Sequence, residues 1–266
     1  MADLGGLTLV ITRPKAQAAA SAAWLESLGA RVMLFPVLSI EPIPAASIDK
    51  NFLRHDLATA NAIIFVSANA AEYGVAAIQA RGGFSTETTI FAIGRATAEK
   101  LGAAGLINVQ LPEAGNDSEA LLALPALQNV QGQNIVIVRG LSEAGGRAHL
   151  QTTLRERGAH VVTLECYVRR AVHADDESRS RLKVALLQHK IHAISVLSVE
   201  TLDSLIANLA NENVAEGLHE CMMLVPHPRV AEAALKLGFA KVSVVPMGGE
   251  PLRAALLKLK PALLGS

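Results

Sequence analysis

The strongest constraint on the fold is a regular alternation of two kinds of segment. Short runs of β-branched and aliphatic residues alternate with alanine-rich stretches along nearly all of the 266 residues. This pattern predicts repeated strand and helix units, whose strands pair in parallel because each helix returns the chain to the edge where the previous strand began. The predicted strands are residues 7–11, 31–35, 61–66, 89–93, 108–111, 134–138, 160–165, 192–197, 222–225 and 241–245.

Ten strands fit two five-stranded sheets, and the chain is long enough for two domains. We therefore predict an α/β protein of two similar domains, each a five-stranded, mostly parallel sheet flanked by helices. The composition favours this fold over an aromatic-rich sandwich, since 51% of the residues are hydrophobic and only 3% are aromatic.

The two halves of the sequence also resemble each other. Three pairs of segments match at offsets near half the chain length: 28–32 with 157–161, 67–78 with 198–209, and 94–105 with 227–238. These matches favour duplication of one unit. Chance resemblance between alanine-rich helices is the alternative.

Two segments, 33–44 and 163–175, run from a strand into an extended polar stretch without helical periodicity. We expect them to form a two-stranded extended linker that acts as a hinge beside a ligand cleft. The predicted domains are then residues 1–36 plus 173–266, which form a discontinuous first domain, and an inserted second domain of residues 42–168, with hinge linkers at 37–41 and 169–172.

The sequence also argues against several classes of partner. The formal net charge is +0, so no long-range field attracts nucleic acid or an anionic membrane. The first apolar run, residues 7–11, is too short to span a bilayer and lacks the flanks of a signal peptide, which indicates a cytoplasmic protein. Cys166 and Cys221 have no paired spacing, and the histidines form no ligand motif. We therefore expect no structural metal.

Candidate binding residues follow the strands, where parallel α/β sheets bind ligands and helix starts present free amides. In the first domain they are Thr12, Arg13, Ser198, Thr201, His227 and Arg229; in the second they are Ser67, Asn69, Gly94, Arg95, Thr97, Arg139 and Gly140. Hydroxyls, glycines and dispersed arginines suit a ligand with many carboxylates. The alternative is that the serines are ordinary helix caps and the arginines are solvated.

Tyr167 is the candidate catalytic residue, because it lies in the second extended segment beside the expected cleft. A phenol stays protonated at neutral pH and can donate a proton. The alternative is a tyrosine that anchors the hinge by packing.

Seven segments, in order, suggest a family: LVITRPKAQ, LGARVMLFPVLSIEPI, IIFVSANAAE, FAIGRATAEKLGAAG, VIVRGLSEAGGRAHLQTTLRERGAHVVTLECYVR, ISVLSVETLDSL and LVPHPRVAEAALKLGF. In order and spacing this set resembles the uroporphyrinogen-III synthase family from end to end. The resemblance implies a monomer that binds hydroxymethylbilane, an octacarboxylate linear tetrapyrrole, without a cofactor. It also implies a possible hand-off of this substrate from hydroxymethylbilane synthase.

The resemblance also implies roles for individual residues. The family's cleft tyrosine matches Tyr167, its turn hydroxyl matches Thr97, and its serines after the strands match Ser67 and Ser198. Two positions depart from the family's pattern. Asn69 stands where members can carry an arginine, and Arg229-Val230 stands where others have a threonine pair.

The implied reaction closes the bilane into a ring with loss of water and inversion of ring D through a spiro intermediate. Two other classes stay open at this point. A two-domain binding protein of the periplasmic type would share the fold but is normally exported. A nucleotide-dependent enzyme would need a phosphate loop, and residues 140–146 lack its glycine and lysine spacing.

Overall fold

The computed structural model describes residues 3–44, 47–48, 55–141, 148–210 and 214–265. The chain divides into two compact units. Unit 1 is Met1–Ser39 with Arg170–Ser266, and unit 2 is Ile40–Arg169. No helix in the described ranges is long and apolar enough to cross a membrane.

The strands are numbered in chain order. They are β1 (Thr8–Ile11), β2 (Arg31–Leu34), β3 (Leu38–Pro42), β4 (Ala62–Phe65), β5 (Thr89–Ala92), β6 (Asn134–Leu141), β7 (His160–Ala171), β8 (Ala193–Ser195), β9 (Met222–Val225) and β10 (Val242–Val244). They form two five-stranded sheets with the orders β10-β9-β8-β1-β2 and β3-β7-β6-β4-β5. The pairs β1–β2, β1–β8, β8–β9 and β9–β10 are parallel, as are β4–β5, β4–β6 and β6–β7.

The helices are likewise numbered in chain order. They are α1 (Lys15–Ser27), α2 (Ala68–Gln79), α3 (Arg95–Ala103), α4 (Ser118–Leu122), α5 (Ala148–Glu156), α6 (Asp176–Leu187), α7 (Val199–Leu209), α8 (Ala215–Glu220), α9 (Pro228–Lys236) and α10 (Gly249–Leu264), with a 3-10 helix at Pro125–Leu127.

Helices cover both faces of each sheet. In unit 1, Val10 packs with α6 to α9, whereas its neighbours Leu9 and Ile11 pack with α1 and α10. In unit 2, Ile63 and Phe65 pack with α2 and α3, whereas Ile64 packs with α4 and α5. Successive strand residues point to opposite faces, so buried strands need apolar residues at every position. The predicted α/β fold with two five-stranded sheets flanked by helices is confirmed.

The strand orders of the two units agree with an internal duplication. The order β9-β8-β1-β2 in unit 1 corresponds to β5-β4-β6-β7 in unit 2, and each pair of equivalent strands is separated in sequence by about half the chain. Gln110 bridges Phe91 beside β5, at the position that β10 occupies beside β9. The shared topology therefore supports the duplication that the sequence offsets suggested.

Three strand predictions were wrong in detail. Residues 108–111 contribute only the Gln110 bridge, because Asn108 has a positive φ of 61° that interrupts the extended chain. The fifth strand of unit 2 is β3, which lies in a segment predicted to be a linker. β6 continues to Leu141, so Arg139 and Gly140, which were predicted to follow this strand, lie within it.

Gly74 lets α2 pack closely on the sheet of unit 2. A Cβ added there would lie 2.3 Å from Val138 Cγ1 and 3.1 Å from Phe65 Cε1. Gly74→Ala is therefore expected to lower the free energy of unfolding by about 1–3 kcal/mol through overpacking. Denaturant unfolding measures this change. The matched control is Gly102→Ala in α3, where an added Cβ meets no atom within 4 Å. The control is expected to stabilise by up to about 1 kcal/mol. Equal effects of the two substitutions would contradict the packing argument.

Candidate active site

Ser67 and Tyr167 meet at the carboxyl end of β4 in unit 2. Ser67 directly precedes α2 and caps it, since its Oγ accepts a hydrogen bond from the Ala70 backbone N–H at 3.0 Å. The same Oγ lies 3.2 Å from the Tyr167 hydroxyl, and either oxygen can be the donor. The first turn of a helix carries partial positive charge. A helix start, a serine and a phenol are thus linked by hydrogen bonds.

A β-bulge in β7 directs Tyr167 toward this helix start. Arg139 pairs with Glu165, but the next residue, Gly140, pairs with Tyr167, so Cys166 is the extra residue. Bulges redirect side chains in this way. Cys166 and Tyr167 consequently both pack on the layer of α2 and α3, although regular alternation would place them on opposite faces.

Tyr167 is only 4% exposed, and two neighbours contact its ring. The Cα of Gly140 faces the ring, and the ring of Tyr73 lies with its centroid 5.7 Å away at an interplanar angle of 40°. The Tyr73 hydroxyl donates to the Ile40 carbonyl at 3.4 Å, and burial raises the pKa of Tyr73. The phenol of Tyr167 therefore occupies a defined position in unit 2.

The start of α3 follows β5 at the same edge of this sheet. Gly94 is its N-cap, and a Cβ there would lie 2.9 Å from the Asn116 Cβ. Thr97 is 3% exposed and Arg95 is exposed. Asn69 is half-buried in the first turn of α2. These four candidates therefore lie where the sequence predicted, directly after the strands of unit 2.

Arg139 has a different environment from the one predicted. Its Nη2 lies 2.8 Å from Glu165 Oε1 on the adjacent strand, and both side chains are partly buried. This ion pair compensates the charge of Arg139 within the sheet. Because Glu165 already pairs with it, Arg139 is expected to attract an anionic ligand less strongly than the sequence suggested.

In unit 1, Ser198 occupies the position equivalent to that of Ser67 in unit 2. It caps α7 by accepting from the Thr201 backbone N–H at 3.2 Å, and its Oγ lies 2.9 Å from Thr201 Oγ1. Thr201 itself is buried. Both serines are therefore helix caps, and a cap at a helix start can also contact a ligand.

Arg13 lies two residues after β1, in a mainly apolar pocket of unit 1 that includes Leu25, Leu224 and Leu256. Its Nη2 donates to the Met247 carbonyl at 3.3 Å. Burial lowers the pKa of the Arg13 guanidinium, with no contribution from a carboxylate in the described part of the chain. A cation in this environment favours an anionic ligand.

Three further candidate residues, Thr12, His227 and Arg229, lie at this edge of unit 1. Thr12 is buried and donates to the Ser195 carbonyl, so it ties β1 to β8. His227 is the N-cap residue of α9 without a side-chain cap, and both His227 and Arg229 are exposed. Among the residues that the structure describes, no three His, Cys, Asp or Glu side chains are grouped as metal ligands would be.

Comparison with known proteins assigns the family. A sequence model described as uroporphyrinogen-III synthase HemD matches residues 19–261. The chain belongs to the uroporphyrinogen-III synthase family. It is 32% identical to the uroporphyrinogen-III synthase of Salmonella typhimurium over 242 residues, which cover 90% of this chain and 94% of that protein. It is 35% identical to the Escherichia coli protein of the same name over 154 residues, covering 58% of this chain and 60% of the relative.

A solved structure of this family shares the fold. A mutant uroporphyrinogen III synthase from the extremely thermophilic bacterium Thermus thermophilus aligns with a TM-score of 0.63 at 22% identity, covering 98% of this chain and 100% of that chain. At this identity the likeness establishes the fold alone.

Sequence reasoning missed two segments at the strand ends of this family member. Met247 accepts the hydrogen bond from Arg13, and α10 starts two residues later at Gly249, whose φ is +60°. Asn116 packs on Gly94, and the following Asp117 caps α4. The glycine pair at 248–249 and the Asn-Asp-Ser run at 116–118 were available signals for helix starts.

Loss of the Ser67 cap should be measurable as lost stability. Ser67→Ala is expected to lower the free energy of unfolding by about 0.5–2 kcal/mol, because the Ala70 N–H loses its acceptor. The matched control is Asp175→Ala, which removes a cap of α6 bonded to the Ser178 N–H at 2.7 Å. Urea unfolding compares the two. If only Asp175→Ala lowered stability, Ser67 would not be a stabilising cap.

Proposed function

We propose that this chain is a uroporphyrinogen-III synthase that cyclises hydroxymethylbilane to uroporphyrinogen III. The structural observation that carries the proposal is the phenol of Tyr167 held against Ser67 at the start of α2. Membership of the family supplies the substrate and the overall reaction. In this proposal Tyr167 is the acid.

The proposed reaction begins at the terminal hydroxymethyl group of the bilane. Tyr167 donates a proton to the hydroxyl, the C–O bond breaks, and water leaves an azafulvenium cation. Ring D then attacks the methylene carbon through its substituted carbon and forms a spiro intermediate. That intermediate fragments and recloses with ring D inverted, and ring D then loses one proton, which balances the proton that Tyr167 donated. Overall, the substrate loses one water and no electrons are transferred.

In this proposal, much of the catalysis comes from holding the substrate in the reactive conformation. The bilane cyclises unaided to the uninverted isomer, so the enzyme must hold the chain in the conformation that leads to inversion. Eight carboxylates offer many points of attachment. Helix starts and hydroxyls after the strands of each unit suit them, and these are the groups at Ser67, Asn69, Gly94, Arg95, Thr97, Ser198, Thr201, His227 and Arg229.

Among the cations, Arg13 fits a substrate carboxylate best. Its guanidinium is partly buried and its pKa is lowered by burial, so an anion would relieve the cost of its desolvation. Arg139 already pairs with Glu165 and is expected to contribute less.

Several finer features belong to the same proposal. We propose that residues 37–41 and 169–172 act as hinge linkers between domains of residues 1–36 plus 173–266 and residues 42–168. We further propose that the protein acts as a cytoplasmic monomer and receives its substrate by transient hand-off from hydroxymethylbilane synthase.

The test supplies freshly generated hydroxymethylbilane to the purified protein and separates the porphyrin isomers after oxidation. The expected product is the type III isomer, formed faster than the background reaction. A sample without enzyme is the control and yields the type I isomer. Type I alone in the presence of the protein would overturn the proposal.

A further inference from the structure

Gly140 leaves space for the ring of Tyr167. A Cβ added at Gly140 would lie 2.4 Å from Tyr167 Cε2, 2.4 Å from Cζ and 2.9 Å from the hydroxyl oxygen. Real Cβ atoms do not approach other atoms at such distances, so any side chain here would displace the ring. The backbone of Gly140 lies outside the positive-φ region, where other residues are disfavoured. The need for glycine at this position is therefore spatial and not conformational.

Tyr73 restrains the same ring from a second element. It lies on α2, and its ring contacts Tyr167 with a centroid distance of 5.7 Å. Its hydroxyl donates to the Ile40 carbonyl of β3, so the side chain is held at both ends. Neither Gly140 nor Tyr73 needs to touch the substrate to affect Tyr167.

We propose that Gly140 and Tyr73 are positioning residues, which fix the ring of Tyr167 so that its hydroxyl stays within hydrogen-bond distance of Ser67. The sequence suggested a different role for Gly140, which was substrate binding. The inference rests on the proposed function, because it needs Tyr167 as the acid. Gly140 and Tyr73 take no part in the proton transfer, but they orient the Tyr167 hydroxyl that donates the proton.

The first experiment is a double-mutant cycle of Gly140→Ala with Tyr167→Phe, assayed for turnover of hydroxymethylbilane. Gly140→Ala alone is expected to lower turnover about tenfold to a thousandfold, as removal of the phenol would. In the Tyr167→Phe background it should lower turnover less than about twofold, because no hydroxyl remains to be misplaced. Gly102→Ala is the matched control, since its added Cβ meets no atom within 4 Å. Equal losses from Gly140→Ala in both backgrounds would overturn the role.

The second experiment does not depend on the folding of Gly140→Ala. Tyr73→Leu removes the ring contact and is expected to lower turnover about threefold to tenfold at an unchanged Michaelis constant. Tyr73→Phe keeps the ring and should retain more than about half of the turnover. Equal turnover of the two Tyr73 variants would overturn the positioning role proposed for Tyr73.

Failure of this inference is distinguishable from failure of the proposed function. If the unmodified protein forms only the type I isomer, the function itself is wrong. If the unmodified protein forms the type III isomer and both Gly140→Ala and Tyr73→Leu retain full turnover, the function stands and the positioning roles are wrong.

Discussion

Replacing Tyr167 by phenylalanine is expected to lower turnover about tenfold to a thousandfold, within or below the range of general acid catalysis. The substitution removes only the hydroxyl, and the buried ring can keep its place between Gly140 and Tyr73. The proton donor and the hydrogen bond to Ser67 are lost together. Initial rates with freshly generated hydroxymethylbilane measure the effect.

Thermal unfolding separates this effect from a loss of fold. Deleting one hydrogen bond costs about 1 kcal/mol, which is too little to unfold a typical domain at assay temperature. Turnover equal to that of the unmodified protein would remove Tyr167 as the acid and leave it as a packing residue of unit 2.

Arg13→Met is expected to raise the Michaelis constant about tenfold to a hundredfold with little change in turnover. The estimate follows from the loss of one charge-assisted hydrogen bond to a carboxylate, about 1.5–3 kcal/mol. Methionine keeps an apolar stem against Leu25 and Leu256 in the pocket. Because burial desolvates the guanidinium and none of the carboxylates that the structure describes contributes to its pKa shift, the melting temperature should not fall.

Arg157→Met is the matched control, because this arginine makes structural hydrogen bonds to backbone carbonyls of unit 2. Its Nη1 donates to the carbonyls of Leu122 and Leu127 at 2.9 and 2.8 Å. Removing it should lower the free energy of unfolding by about 1–3 kcal/mol and leave the Michaelis constant unchanged. If Arg13→Met gave the same pattern as this control, Arg13 would be a structural residue.

Most strands were predictable because local composition determines them. β4 consists of AIIF and β9 of MMLV, and each is apolar at every position, as a strand covered on both faces requires. β3 was missed because Pro42 lies in it and Pro36 and Pro44 flank it. Proline is tolerated there since β3 is the edge strand of its sheet. Edge position is a property of the assembled sheet and is not visible in the segment.

The site was predictable only in part. Ser67 and Ser198 precede helices with a typical capping pattern, so their location follows from local sequence. The contact between Tyr167 and Ser67 joins residues 100 positions apart and depends on the strand order and on the bulge at Cys166. The Arg139–Glu165 ion pair likewise needs the register of β6 and β7. Neither the strand register nor the position of the bulge can be predicted from a single sequence.

The discontinuity of unit 1 has a consequence for biosynthesis. β1 leaves the ribosome before unit 2, but β8, which pairs with it through Leu9 and Ala193, is synthesised after the whole of unit 2. At about 5–20 residues per second, that delay is roughly 10–40 s. Unit 2 is one continuous segment and can complete its fold during this time. The buried residues of β1 must meanwhile be shielded by chaperones or by transient contacts, so nascent-chain aggregation is expected to begin at β1.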